Sequence, residues 1–270
     1  MATEEVYLLG HAAHEDERLA RQALELAEES RALFNQIGLQ PGARAIDIGC
    51  GPQGSLELLA ERVGPKGTVV GLERNESTAQ LARRFAADRG FSNIEIRQGD
   101  AKASGLPRAS FDLVHARLVL VNVPQPQQVV DEMAALTRPG GVVATHEADW
   151  GCCFCDPPSA AWDRMAEVFR AYATSQGIDI YVGRKTHRML RSAGIAEIQV
   201  NPLVHICHLG HARRAIFHTF LGNLRDDLLS SGIIDDQDFV ECMKVLKRDL
   251  DDPERLVIYS YFQAWGRKPK

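Results

Sequence analysis

Apolar residues recur at helical spacing from about Glu15 to Ile37, opposite a charged face, and Gly38 followed by Pro41-Gly42 ends that run. The short apolar stretch Ala43–Ile48 then leads into glycines and reads as a buried strand. Helical patterns over Ser55–Val63, Glu76–Arg89 and Gln127–Thr137 alternate with strand patterns at Thr68–Leu72, Ile94–Gln98, Phe111–His115 and Val142–His146. Alternation at this spacing predicts βαβ units and a mostly parallel sheet. Beyond Trp150 the rhythm changes. Pro157-Pro158 precedes a helical stretch to about Ser175, and a second helix, Lys185–Ala193, closes at Gly194. Ile195–Val200 reads as a strand, residues 212–250 as largely amphipathic helix, and Leu256–Trp265 as a final strand rich in aromatic and β-branched residues.

Composition narrows the function classes. With 45% apolar and 25% charged residues in 270, the chain can bury a real core. A net charge of −5 with no polybasic stripe argues against nucleic-acid binding. No apolar run approaches the roughly 20 residues of a membrane span. Glu4 and Glu5 replace the basic start of a signal peptide, so a cytoplasmic protein is expected, with a homodimer left open. Cys152, Cys153 and Cys155 are clustered as C-C-x-C, which is not the paired C-x-x-C of a structural zinc site, and no metal is expected.

The first strand runs into Asp47-Ile48-Gly49-Cys50-Gly51-Pro52-Gln53-Gly54, a G-x-G-x-x-G loop between a strand and a helix. Such a loop lets backbone approach a nucleotide but does not name the nucleotide. Glu73, closing the second strand, can accept from ribose hydroxyls in any case. Asp47 is the separating feature. Its carboxylate faces a pyrophosphate unfavourably, and no lysine or arginine lies between Ala45 and Ser55 to offset it. Asp100, after the third strand, adds an acceptor suited to an adenine amino group. Three acids at three successive strand ends suit a cationic nucleoside such as S-adenosylmethionine, with its ammonium and sulfonium, better than NAD.

The stretches AIDIGCGPQG, VVGLER, IEIRQGDA and FDLVHAR resemble the successive motifs of class I S-adenosylmethionine-dependent methyltransferases. The opening YLLGHAAHEDERLARQA is similar to the Y-x-L-G-H-x-x-x-E-x-E-R-L start of a bacterial small-molecule subgroup near the ubiquinone-biosynthesis type. The resemblance spans roughly residues 6–150. It implies an α/β, Rossmann-like, seven-stranded and mostly parallel sheet with helices on both faces and a helical insertion or lid in the C-terminal half. The expected division is a helical cap or lid over residues 1–40, the cofactor-binding core over 41–150, and the remaining strands with an inserted substrate lid over 151–270. The implied cofactor residues are Tyr7, Asp47, Gly49, Cys50, Gly51, Gln53, Glu73, Arg74, Asp100, Ala101, Ala116 and Arg117. At Asn122 the chain departs from the subgroup, in which a histidine is common.

Methyl transfer by direct displacement needs alignment more than covalent chemistry, and a base only when the acceptor must lose a proton. Candidates for the catalytic role are Tyr7, His11 and His14 on the N-terminal segment, and His146 with Glu147 at the end of the fifth strand, where open α/β sheets place ligands. Tyr7, in an apolar stretch before Gly10, reads as a strap able to fold over the cofactor crevice. Trp150, Phe154, Trp162, Phe169, Tyr172 and Tyr181 suggest an apolar pocket for an aromatic or natural-product-like acceptor of secondary metabolism. Three rivals stand beside this reading: a binding protein that uses the same site residues to promote cyclisation or rearrangement without methyl transfer, an NAD-dependent oxidoreductase, disfavoured by Asp47 and by the lack of a Tyr-x-x-x-Lys pair near the fourth and fifth strands, and a nucleoside-sensing module.

Overall fold

The computed structural model describes residues 15–270, with side chains from Arg18 onward. Tyr7, His11 and His14 lie outside the described residues.

Five strands build the parallel part of one sheet: β1 (Arg44–Ile48), β2 (Thr68–Glu73), β3 (Ile94–Gln98), β4 (Phe111–Arg117) and β5 (Thr137–Ala148). Their order in space is β3-β2-β1-β4-β5, with β1 the point at which the order reverses. Alternate residues of the inner strands feed two cores, because both sheet faces are covered. Ala45, Val69, Leu113 and Ala144 pack against α2 (Ala27–Ile37), α3 (Leu56–Val63) and Ala82 of α4 (Glu76–Asp88). Ile46, Val70, Val114 and Val143 pack against α5 (Pro126–Leu136) and α7 (Thr186–Ser192). Helices therefore lie on both faces, as the sequence predicts.

The first helical run is divided at Leu26 into α1 (Glu15–Glu25) and α2, although the bonds Leu26 N–H to Gln22 and Ser30 N–H to Leu26, both 3.1 Å, carry the ladder across the break. Gly38, in the left-handed conformation with φ 72°, closes α2 by donating to Asn35 and Phe34 carbonyls.

The final strand, β8 (Leu256–Arg267), runs antiparallel to β5 and carries β7 (Ala196–Cys207) on its other edge. An eighth strand, β6 (Phe154–Asp156), extends the β5 side of β8 and corrects the expected count of seven. β7 also runs seven residues past the predicted end at Val200. Asn201-Pro202 reads as a break in sequence, but Pro202 is tolerated here because β7 pairs on one side only.

A third core sits beyond the sheet edge. Trp162, Phe169 and Tyr172 of α6 (Ala160–Ser175) join Phe217 of α8 (Ile216–Asn223), Leu228 of α9 (Arg225–Ser230), and Phe239 and Leu246 of α10 (Asp236–Leu250). Val257, Tyr259 and Tyr261 of β8 pack into it, so one long strand belongs to the sheet and to the helical insertion. The inserted helices thus rise beside the carboxyl ends of β4 and β5.

Candidate active site

A cavity of about 1020 Å³ opens at the carboxyl ends of β1, β2 and β4, where the strand order reverses. It is large for a small-molecule site, whose usual range is roughly 300–1,000 Å³, and so has room for two ligands side by side. One end is acidic and glycine-rich, the other aromatic.

The acidic end is built by the loop after β1. Gly49, Cys50 and Gly51 line it, with Glu73, Arg74, Asp100 and Ala101. Gly49 has φ 62°, and a side-chain carbon there would stand 2.7 Å from Val119 Cγ2, so only glycine lets Val119 close on this backbone. Glu73 Oε2 accepts from Gly51 N–H at 3.0 Å and Oε1 from Asn75 N–H at 2.9 Å. Asp100, exposed at the cavity, accepts from Lys102 N–H at 2.8 Å.

Asp47 lines the cavity but faces inward. It is 2% exposed; Oδ2 accepts from Ser55 N–H at 2.7 Å and Oδ1 stands 2.7 Å from His115 Nδ1. Its carboxylate thereby fixes the start of α3 and the path of the glycine loop, and it reaches a ligand through charge rather than contact. At Gly54 a side-chain carbon would stand 2.5 Å from Asp47 Oδ2 and 2.4 Å from Cys50 O, so only glycine fits. Arg117 donates to Ser30 Oγ and to Gly54 O, both at 2.9 Å, clamping the same loop to α2. Burial lowers its pKa, and the neighbouring Asp47 and Glu29 work against that.

Several expected site residues do not reach the cavity. Gln53 turns away and donates to Ala20 O at 3.2 Å. Ala116 is fully buried in the sheet. His146 is buried within β5, edge-on to Tyr261 at 5.9 Å, and burial with nearby Arg117 and His115 holds its pKa well below the ordinary range. Glu147 is buried too: Oε1 accepts from Val119 and Leu120 N–H, both at 3.1 Å, and Oε2 from Val121 N–H at 3.2 Å. Because β5 continues to Ala148, both side chains still belong to the sheet, and Ala148 is the residue that meets the cavity. Glu147 supports the cavity wall Leu118–Asn122 from behind. Asp149, the third member of the His146-Glu147-x-Asp149 set, is held by Arg184 Nε at 2.6 Å. Among the described residues, no group of three His, Cys, Asp or Glu is arranged to hold a metal ion.

The aromatic end is formed by Trp150, Phe169, Phe220, Tyr259 and Tyr261. Trp150 is central, with Phe169 at 5.1 Å, Phe220 at 5.9 Å and Tyr259 at 6.2 Å between ring centroids. Of the aromatics that the sequence suggests, only Trp150 and Phe169 line the cavity. Trp162 and Tyr172 are spent in the core, Phe154 is exposed, and Tyr181 stacks against Arg184 at 5.6 Å. Sequence reasoning missed Phe220, Tyr259, Tyr261, Arg18 and Arg213, all on the wall. A signal existed for two of them: Tyr259 and Tyr261 stand two apart on a strand and so share a face.

Residues 39–194, more than half of the chain, match the family model described as a methyltransferase domain. The chain is similar to the demethylmenaquinone methyltransferase of Geobacillus kaustophilus, 29% identical over 67% of this chain and 84% of that one. It is also similar to the nocamycin O-methyltransferase of Saccharothrix syringae, 37% identical over 42% and 40% respectively. In structure it resembles phosphoethanolamine N-methyltransferase 2 of Haemonchus contortus, solved with phosphomonomethylethanolamine and S-adenosylhomocysteine. There the TM-score is 0.57 and the identity 16%, over 90% of this chain and 53% of that one. The chain thus spans about half the length, or less, of some of the proteins it matches.

Proposed function

The chain belongs to the class I S-adenosylmethionine-dependent methyltransferase family, and on that premise we propose that it methylates an aromatic or natural-product-like small molecule by direct displacement. The observation that carries this reading is one cavity with an acidic nucleoside end and an aromatic end. S-adenosylmethionine would supply an electrophilic methyl group: an acceptor lone pair takes the methyl carbon, the sulfonium C–S bond breaks, and its electron pair stays on sulfur to leave S-adenosylhomocysteine.

The residues present fit that cofactor. Glu73 would accept the ribose hydroxyls, Asp100 and Ala101 would meet the adenine, and the backbone of Gly49 and Gly51 would flank the methionine part. Asp47, Glu73 and Asp100 place carboxylates where they favour a sulfonium over a pyrophosphate, alongside Arg74, Lys102 and Arg117 on the same wall. The aromatic wall excludes water and presents an acceptor body to the methyl group. The relatives named for demethylmenaquinone and nocamycin support a small-molecule acceptor. No helix among the described residues is long and apolar enough to cross a membrane.

Calorimetry with S-adenosylhomocysteine and NAD tests the cofactor: micromolar-range binding of the first and none of the second are expected, and tighter binding of NAD would remove the reading. Formation of S-adenosylhomocysteine in the presence of an acceptor separates methyl transfer from a cyclisation that leaves the cofactor intact. Glu73→Ala is expected to weaken S-adenosylhomocysteine binding by about 1.5–3 kcal/mol, the range for losing hydrogen bonds to a charged group. An unchanged affinity in a folded variant would take Glu73 out of the site.

A further inference from the structure

Two consecutive arginines precede α8, and the structure uses them differently. Arg214 is buried and spends its guanidinium on backbone: it donates to Leu250 O at 2.5 Å, to Cys207 O at 2.8 Å, to Arg255 O at 2.6 Å and to Asp252 O at 2.7 Å. It ties the loop to the end of α10. Arg213 is 2% exposed, forms part of the cavity wall, and has one strong partner: Nη2 donates to the Tyr261 hydroxyl. Its guanidinium lies 4.8 Å from the centroid of the same ring. Among the described residues, Nε and Nη1 have no hydrogen-bond acceptor. Glu25 Oε2 stands 3.9 Å from Nε, within ion-pair distance but beyond hydrogen-bond reach.

A buried guanidinium with unspent N–H groups is unfavourable on its own, and its planar fork matches a pair of oxygens sharing one negative charge. We propose that Arg213 selects the acceptor by binding a delocalised oxyanion on it, a carboxylate or an ionised 1,3-dicarbonyl, while the acceptor's flat apolar body lies against Trp150, Phe169 and Phe220. This rests on the methyltransferase reading of the cavity and adds the charge of the acceptor. Asp227 lines the same cavity, so the acceptor end carries both signs, and Arg213 is the buried member with N–H groups to spare.

Four probes titrated into the S-adenosylhomocysteine complex test it at neutral pH: 2-naphthoate with its methyl ester, and 2-hydroxy-1,4-naphthoquinone, an ionised vinylogous acid, with its methyl ether. At least one anion is expected to bind tenfold or more tightly than its neutral partner, and the pair that does so distinguishes carboxylate from enolate. Arg213→Met should bring that ratio to within threefold of one, with S-adenosylhomocysteine affinity unchanged. If Arg213→Met does not fold, Arg213→Lys, which keeps the charge but not the fork, should lower the ratio at least threefold. A wild-type ratio near one for both pairs, or a ratio insensitive to Arg213, overturns the proposal. So does a fall in S-adenosylhomocysteine affinity in the variants, which would assign Arg213 to the cofactor carboxylate. Failure of the wild-type protein to bind S-adenosylhomocysteine at all would instead count against the methyltransferase reading.

Discussion

Asp47→Ala is expected to lower folding stability by about 3–5 kcal/mol, the scale for leaving two buried hydrogen-bonding groups without their carboxylate partner. Two bonds are lost at once. Ser55 N–H no longer has an acceptor at the start of α3, and His115, fully buried against Phe34 at 5.1 Å, loses its Nδ1 partner. The glycine loop then loses its anchor at Asp47 and depends on Arg117 at Gly54 O and Glu73 at Gly51 N–H. Asp47→Asn should be milder, because the amide oxygen can still receive one of the two donors. Thermal unfolding would show the alanine variant melting roughly 10 °C below wild type, using about 2–4 °C per kcal/mol for a chain of this size. S-adenosylhomocysteine binding to the folded fraction should weaken as well. An alanine variant melting within about a degree of wild type would show that Asp47 does not organise the loop.

Asp47 also illustrates what was legible from residues alone. Its charge, its place before the glycines and its register with Glu73 and Asp100 could all be read, because strand ends and turns are local features. That its carboxylate turns inward could not, because the partner His115 lies on β4, 68 residues away. The inner strands were readable within a few residues, since both faces of β1, β2 and β4 are apolar and their bounds are marked by glycine, proline and polar turns. β7 was not, because its outer face is exposed and Pro202 breaks the pattern without breaking the strand. The catalytic reading of His146 and Glu147 failed on strand length: two further residues of β5 moved the sheet edge to Ala148. Arg213 was unreadable for the opposite reason. Arg213 and Arg214 look alike as a solvated basic pair, and only contacts to β8 and to the end of α10 separate a residue with unspent N–H groups from one that ties the chain.

Glu147 is expected to show its role in the pH dependence of stability. Burial pushes its pKa up from 4.5 to about 8, against the pull of the three backbone N–H groups of Val119, Leu120 and Val121. In the unfolded chain the same glutamate loses its proton near 4.5, so between 4.5 and about 8 the folded state holds one proton more. The stabilisation from this group is therefore complete below pH 4.5 and is lost as the pH rises to about 8. The slope approaches 1.4 kcal/mol per pH unit at most. Glu147→Gln removes the titration. It also points an amide N–H₂ at Val121 N–H where an oxygen stood, so it should be less stable than wild type at pH 5 by about 1–3 kcal/mol, a gap that closes as the pH rises and reverses by about pH 8. Glu147→Ala leaves all three N–H groups without an acceptor and should fall by about 3 kcal/mol or more. The turn those groups belong to, Leu118–Asn122, is cavity wall, so acceptor binding should weaken together with stability in both variants. Denaturant titrations at pH 5, 6.5 and 8 decide it: parallel pH profiles for wild type and Glu147→Gln would show that Glu147 holds the turn as a carboxylate throughout.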